Sequence, residues 1–275
     1  MTASATEAAL DADWLSICRR AEGAAARALE RYAPGDRARA AGRGKGGDIS
    51  LVIDKAAEDA IIAELERTAL PLTVVSEERG HVELAGGGPV HVIVDPIDGS
   101  RNAKRGLPAW CVSIAVAAGP LLGDVRWAYV RDGEHGEEWW ARAGEGAFHD
   151  GQRLAELDPE AELEMVGLEF IHPRLVAAAA PAIAATGIAR LRGIGSIALT
   201  LCYVACGRLD GLLALAGCRS VDIAAAQLIL REAGGVLAFV DVEEDVDQAS
   251  LSLDWRSRVF AAAGPAGLER LCTIA

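Results

Sequence analysis

The sequence predicts a mixed fold in two parts, an α+β first half followed by an α/β second half. Three observations carry this expectation. A strand-rich middle between Thr73 and Phe148 is flanked by helical patterns. From about residue 160 onward, short apolar strands alternate with Ala/Leu-rich helical stretches. With 51% hydrophobic residues over 275 positions, the chain can bury most of its apolar surface, as one large domain or two packed ones. The division is expected near residue 155, giving an N-terminal α+β lobe over 1–155 and a C-terminal α/β lobe over 156–275.

Taken in order, Leu10, Trp14, Ile17, Ala21, Ala25 and Leu29 recur at steps of three and four within residues 7–33. That spacing predicts one amphipathic helix stopping before Pro34-Gly35. Gly42 to Gly47 is glycine-rich and carries Arg43 and Lys45, and reads as a mobile loop or a plain connector. Asp54 stands at the N-cap of a helix expected over Lys55 to Leu70, with Ala57, Ile61 and Leu65 facing inward. After the break at Pro71, Thr73 to Ser76 forms a strand that delivers Glu77 and Glu78 at its end. Neighbouring side chains on an extended segment point to opposite sides, so one of the two can face a site on a given side.

Val90 to Val94 is a largely β-branched run and predicts a buried strand that stops at Asp95. Ala109 to Ala118 and Val125 to Val130 read as an antiparallel pair about Gly119-Pro120, and Trp139 to Phe148 with Asp150-Gly151 adds strand and turn. In the second half, Met165 to Phe170, Ile188 to Leu191, Leu209 to Leu215 and Val236 to Val240 are expected strands. Ser196 to Cys206 and Asp222 to Ala233 are expected helices, the latter ended by Gly234-Gly235.

Composition excludes several classes. A net charge of −13 argues against nucleic acid as a partner, whose footprint would be basic. No run approaches the ~18 apolar residues of a membrane span. The acidic start Met1 to Asp13 lacks the basic flank of a signal peptide, so a cytoplasmic protein without a membrane partner is expected. The six cysteines form no Cys-x-x-Cys pair and the five histidines lie scattered, which disfavours structural zinc and a disulfide framework. Cys202 and Cys206 read as packing in an apolar helix.

The chemistry centres on Asp95-Pro96-Ile97-Asp98-Gly99-Ser100. Two carboxylates arrive three apart at a strand end, with a proline fixing the turn and a glycine allowing close backbone approach. Carboxylate oxygens, helped by a carbonyl such as that of Ile97, are the hard ligands Mg²⁺ requires, and Mg²⁺ takes one or two carboxylates plus substrate phosphate oxygens. A helix opening near Ser100 would hold a phosphate with its amides and dipole. The same residues also make an ordinary turn. Bound cations would reconcile the acidic chain with an anionic phosphate ester.

Asp95 to Asn102 resembles the Asp-Pro-(Ile/Leu)-Asp-Gly-(Thr/Ser)-x-Asn signature of the inositol monophosphatase family, the lithium-sensitive superfamily that also holds fructose-1,6-bisphosphatases. Val74-Val75-Ser76-Glu77-Glu78 resembles the family's strand ending in Glu-Glu. Asp48-Ile49-Ser50-Leu51-Val52-Ile53-Asp54 is similar to its Asp-x-x-(Thr/Ser)-x-x-Asp segment. Val221-Asp222-Ile223-Ala224-Ala225 with Glu232-Ala233-Gly234-Gly235 is similar to its C-terminal signature. All four stand in register over about residues 45 to 240.

This resemblance implies a five-layer α/β/α/β/α sandwich, a homodimer, and a phosphomonoesterase that uses two to three Mg²⁺ ions. Its substrate would be a small phosphorylated polyol or sugar, attacked in line by a metal-bound water. By the same resemblance, Glu77, Asp95 and the Ile97 carbonyl would hold one ion, Asp95, Asp98 and Asp222 a second, and Glu77 a third through water. Ser100, held by Asp48, would orient the water, and the Gly99 and Ser100 amides would bind phosphate. Arg192-Gly193-Ile194-Gly195-Ser196 resembles the family segment that lines the substrate side of the pocket, and the resemblance makes Asp98 a substrate-binding residue as well. Gly195 would permit close approach there, and Ser196 would bond a substrate hydroxyl. Helix capping is the ordinary alternative for Ser196 and for Asp222.

Two departures bear on the substrate. Val221 and Leu215 stand where many inositol monophosphatases carry Trp and a glutamate that touches inositol hydroxyls, which weighs against ring-specific recognition. Arg101 and Arg219 offer a bidentate grip on a second phosphate, or surface salt bridges. The pattern resembles the archaeal and bacterial branch in which inositol-phosphate and fructose-bisphosphate hydrolysis coexist. Fructose-1,6-bisphosphatase, histidinol-phosphatase and nucleotide 3′-phosphatase are the alternatives within the superfamily. A catalytically silent binding or regulatory protein is the alternative outside it, and would have lost a ligand or Ser100.

Overall fold

The computed structural model describes residues 3–33, 35–45, 47 and 49–275. The first apolar stripe forms two helices, α1 (Ala3–Leu10) and α2 (Trp14–Glu30), where the spacing predicts one. Asp13 divides them, because its side chain accepts a hydrogen bond from the Ser16 amide and caps α2 afresh. Part of the glycine-rich stretch is strand rather than loop: β1 (Ala40–Arg43) pairs antiparallel with β2 (Ile49–Leu51). Next comes α3 (Val52–Glu66), which starts before Asp54 instead of after it. Asp54 lies in the first turn and accepts from the Leu51 amide at 2.9 Å, so it caps from inside the helix.

Eight strands follow: β3 (Leu72–Ser76), β4 (Gly80–Leu84), β5 (Val90–Asp98), β6 (Cys111–Ala117), β7 (Val125–Asp132), β8 (Glu138–Arg142), β9 (Gly146–His149) and β10 (Gln152–Arg153). They form one sheet in the order β10-β9-β8-β7-β6-β5-β3-β4, with β3 and β5 parallel. A short helix, α4 (Ser100–Ala103), leaves the end of β5.

The second half contains β11 (Met165–Glu169), α5 (Pro173–Ala185), β12 (Arg190–Arg192), α6 (Ile197–Ala205), β13 (Gly211–Ala214), β14 (Cys218–Arg219) and α7 (Ser220–Glu232). It closes with β15 (Val236–Phe239), β16 (Arg256–Ser257), β17 (Val259–Ala262) and α8 (Pro265–Cys272). Five of these strands make a second sheet, β12-β11-β13-β17-β15. It is parallel across its first three strands and antiparallel beyond them.

Alternation along the strands sets the layers. On β5, Val92 and Val94 pack with Trp14, Ile61 and Ile114 under α2 and α3, while Ile93 faces the other way. There it joins Val130, Trp139, Leu199, Leu212, Ile223 and Ala261 in a core built around α6 and α7, which lie between the two sheets. On the outer face of the smaller sheet, Ile183 of α5 and Leu271 of α8 pack against Phe260. The layers therefore run α/β/α/β/α. Both faces of the large sheet are covered at β5, so Val92, Ile93 and Val94 are consecutive apolar residues buried on alternate sides. Among the described residues, no helix is long and apolar enough to cross a membrane.

Candidate active site

The strand expected to stop at Asp95 continues to Asp98, but its register slips on the way. Asp95 lies opposite Ser113 and Asp98 opposite Cys111, so β5 has one residue more than β6 over this interval. Such a bulge bends the strand and re-aims its side chains. Pro96, with no amide hydrogen to place in the ladder, suits the interruption. The Ile97 amide donates to Asp95 Oδ1 at 3.1 Å. Gly99 then turns the chain with φ +90°, and a Cβ there would meet Ala109 O at 2.9 Å, Trp110 Cα at 3.1 Å and Gly195 O at 3.2 Å. Only glycine combines that φ with so little room.

Three elements bring carboxylates together. Glu77 follows β3, Asp95 lies in β5 and Asp222 in the first turn of α7, and each offers an oxygen within 4.8 Å of the others. Asp222 is placed by its capping role, since its Oδ2 accepts from the Arg219 amide at 2.8 Å. The Arg219 side chain, only 9% exposed, donates from Nη2 to Glu77 Oε1 at 2.5 Å, and its Nε lies 3.5 Å from Asp222 Oδ1. Arg219 is thus neither on the surface nor directed away from the carboxylates. Glu78 turns elsewhere and accepts from Ser50 Oγ. The backbone of this turn is held by Glu58 Oε1, which accepts from the Glu78 and Arg79 amides at 3.2 Å each. The Lys45 amide adds a bond to the Glu78 carbonyl at 3.2 Å.

Crowding shows in the acidities. Burial raises Asp95 well above the ordinary carboxylate value, and the charges of Asp98, Glu77 and Asp222 raise it further. Burial pushes Glu77 up to about 7, against the opposing pull of the Arg219 charge. Asp222 is raised by burial too, with Arg219 again opposing.

Asp98 stands beside this group rather than in it. Its Oδ2 accepts from Ser196 Oγ at 2.6 Å and from the Ala198 amide at 2.7 Å. Burial moves its carboxyl up to about 7, with those two hydrogen bonds pulling the other way. Ser196 also caps α6 through the Leu199 amide at 3.2 Å, so its capping and its contact with Asp98 coexist. The segment before it is fixed from two sides. Asn102 Nδ2 donates to the carbonyls of Ala109 at 2.8 Å and Ile194 at 3.0 Å. Gly195, at φ +89°, would place a Cβ 2.8 Å from Asn102 Nδ2.

The sequence profile of the inositol monophosphatase family matches residues 12–275. The chain belongs to this family. It is 37% identical over 208 residues to the fructose-1,6-bisphosphatase/inositol-1-monophosphatase of Methanothermobacter thermautotrophicus, covering 70% of this chain and 72% of that protein. It is 36% identical over 190 residues to the Nus factor SuhB of Pasteurella multocida, covering 67% and 69%. The crystal structure of an inositol monophosphatase-fructose 1,6 bisphosphatase shares the fold, with a TM-score of 0.80 at 22% identity over 96% of this chain and 100% of the other. The suhB protein of Bartonella henselae has a TM-score of 0.77 at 25% identity, over 94% and 97%.

Inositol monophosphatases belong to a superfamily of metal-dependent phosphatases, and the residues here fit a hard cation. The donors of the three-carboxylate group are all oxygen, they converge from separate elements, and their mutual repulsion leaves negative charge to be neutralised. Of the other residues singled out in the sequence, Asp48 lies outside the described residues. Ser100 opens α4 half-buried, and Arg101 beside it is exposed. Leu215 and Val221 are buried in apolar clusters.

Sequence reasoning missed Glu169. At the end of β11 it is buried, and Oε1 accepts from Thr200 Oγ1 at 2.7 Å and from the Ile194 and Gly195 amides at 3.2 Å, while Oε2 accepts from Gly195 at 3.0 Å. It therefore anchors the segment that carries Ser196 to Asp98. A signal was present: a carboxylate closing an apolar strand needs several donors to be tolerated.

Proposed function

We propose that the chain is a Mg²⁺-dependent phosphomonoesterase acting on a small phosphorylated polyol or sugar. The observation that carries this reading is the convergence of Glu77, Asp95 and Asp222 on one all-oxygen group, beside the turn at which α4 opens. Glu77, Asp95 and Asp222, with Asp98 and the Ile97 carbonyl, would hold two to three ions. Bound divalent cations supply positive charge to the phosphoryl oxygens and make water a better nucleophile near neutral pH.

The chain's own residues do the remainder. Ser196 and Ala198 fix the direction of the Asp98 carboxylate. The Gly99 and Ser100 amides receive the phosphate. The Ser100 hydroxyl, which the family resemblance pairs with Asp48, orients a water in line with the leaving oxygen, and no covalent phosphoenzyme is required. Gly195 and Ser196 line the substrate side. On this reading the lobe over 1–155 contributes most metal ligands, the lobe over 156–275 contributes Asp222 and the pocket wall, and the enzyme is a cytoplasmic homodimer.

Buried Leu215 and Val221 support a substrate recognised without inositol-specific contacts, and the relative named for both fructose-bisphosphate and inositol-phosphate hydrolysis supports the same breadth. The test is phosphate release with and without Mg²⁺ from inositol 1-phosphate, fructose 1,6-bisphosphate, histidinol phosphate and a nucleoside 3′-phosphate. Metal-dependent turnover of at least one supports the reading. Mg²⁺ binding without turnover of any would favour a silent binding protein.

A further inference from the structure

Arg219 engages two of the carboxylates that a cation would use. Its Nη2 occupies Glu77 Oε1 at 2.5 Å, and its Nε lies 3.5 Å from Asp222 Oδ1. Glu77 and Asp222 are two of the three members of the metal-competent group. The geometry that delivers the guanidinium is fixed locally, because the Arg219 amide is itself capped by Asp222 Oδ2 at 2.8 Å. The side chain starts at the edge of the group and extends across it to Glu77, almost wholly out of solvent.

We propose that Arg219 is a built-in competitor for the metal site: its guanidinium and a divalent cation are alternative partners of Glu77, so metal loading displaces Arg219 from that carboxylate. This inference rests on the phosphatase reading above for the identity of the cation, but its residues and distances stand independently. A guanidinium hydrogen-bonded to a carboxylate withdraws negative charge from it and repels a cation brought to the same group, while an Mg²⁺ ligand must direct a lone pair at the ion. Arg219 therefore lowers the affinity of the site for metal while keeping the carboxylates compensated before metal arrives. A residue that merely braced Glu77 in ligand position would have the opposite effect on affinity.

The test uses the full chain, stripped of metal with EDTA and titrated with MgCl₂ by calorimetry in the absence of substrate. In Arg219→Gln the dissociation constant for Mg²⁺ should fall at least about tenfold relative to wild type, equivalent to about 1.4 kcal/mol. The rise in melting temperature on adding MgCl₂ should be larger in the variant, because its metal-free carboxylates lack the Arg219 charge and keep the weaker pull of Arg256 on Asp222. Arg219→Lys keeps the charge but not the fork, and should bind Mg²⁺ with an affinity between the two; it carries the comparison if the glutamine variant does not fold without metal. An unchanged or weakened Mg²⁺ affinity in these variants would overturn the inference and make Arg219 a support for Glu77. A wild-type chain that binds no Mg²⁺ would overturn the metal reading itself, and this inference with it.

Discussion

Glu169 offers the sharpest test of how the site is held, because it acts entirely through other groups. Its two oxygens accept four hydrogen bonds, from Thr200 Oγ1, the Ile194 amide and, twice, the Gly195 amide. Replacing it by glutamine keeps one oxygen and turns the other into an NH₂ group facing the Gly195 N–H. The lost charge-assisted bond is worth about 1.5–3 kcal/mol. Part of that is returned, because burial disfavours the charged form here and raises the carboxyl above its ordinary value. The expected net loss for Glu169→Gln is about 1–2 kcal/mol. Glu169→Ala leaves the Ile194 and Gly195 amides without their acceptor, while Thr200 Oγ1 keeps the Ser196 carbonyl at 2.9 Å; two groups at about 1–3 kcal/mol each give a total of roughly 2–6 kcal/mol.

Urea denaturation of the metal-free proteins, compared by midpoint at constant m-value, reads these losses. Both variants should also weaken Mg²⁺ binding, because the freed 193–196 segment no longer holds Ser196 on Asp98. Two variants within about 0.5 kcal/mol of wild type would refute the reasoning, since a buried acceptor of four bonds cannot be so dispensable. So would a destabilised Glu169→Gln with unaltered Mg²⁺ affinity, which would separate Glu169 from the site.

Other consequences concern charge and space. In the metal-free protein Glu77 and Asp98, moved by burial to about 7, hold protons that the unfolded chain releases near its ordinary carboxylate values. Stability from them is complete below pH ~4 and is lost as pH rises through about 7. The melting temperature in EDTA should therefore fall between pH 5 and pH 8 and recover on adding MgCl₂; a melting temperature that rises over that range would contradict this. Glu138 behaves in the opposite sense. Burial raises it, but hydrogen bonds from Arg19 and Tyr129 outweigh that and leave it lowered, so its contribution is lost on acidification below its ordinary value and is constant from pH 5 to 8. Gly99→Ala combines a left-handed φ with contacts to backbone on three sides, and should destabilise by more than about 2 kcal/mol in a thermal or urea melt; a neutral alanine would show that the turn can relax.

Much of this was legible in the sequence, for physical reasons that can be traced. Strands β3, β5 and β6 and helices α6 and α7 announced themselves because each is apolar along its buried length and ends at Gly, Pro or a capping residue. The pairing of Asp95 with Glu77 and Asp222 could be expected only through resemblance, because α7 lies more than a hundred residues of chain from β3 and β5. Helix α5 is not legible because its alanine-rich stretch carries Pro181 inside it. The bulge at Pro96-Ile97 was hidden because composition cannot show a register slip. Local sequence leaves Arg219 as a surface or substrate-facing residue, because its inward ion pair with Glu77 depends on a partner 142 residues away.

The most direct test of the central claim compares wild type with Asp95→Asn. The substitution removes the carboxylate at the middle of the group while keeping its shape, and relieves a buried like-charge contact. Wild type should release phosphate from a sugar or polyol phosphate only with Mg²⁺. Asp95→Asn should release none, yet melt higher than wild type in EDTA at pH 8 and gain little from MgCl₂. Retained Mg²⁺-dependent turnover in Asp95→Asn would contradict the assignment of this carboxylate group as the metal centre.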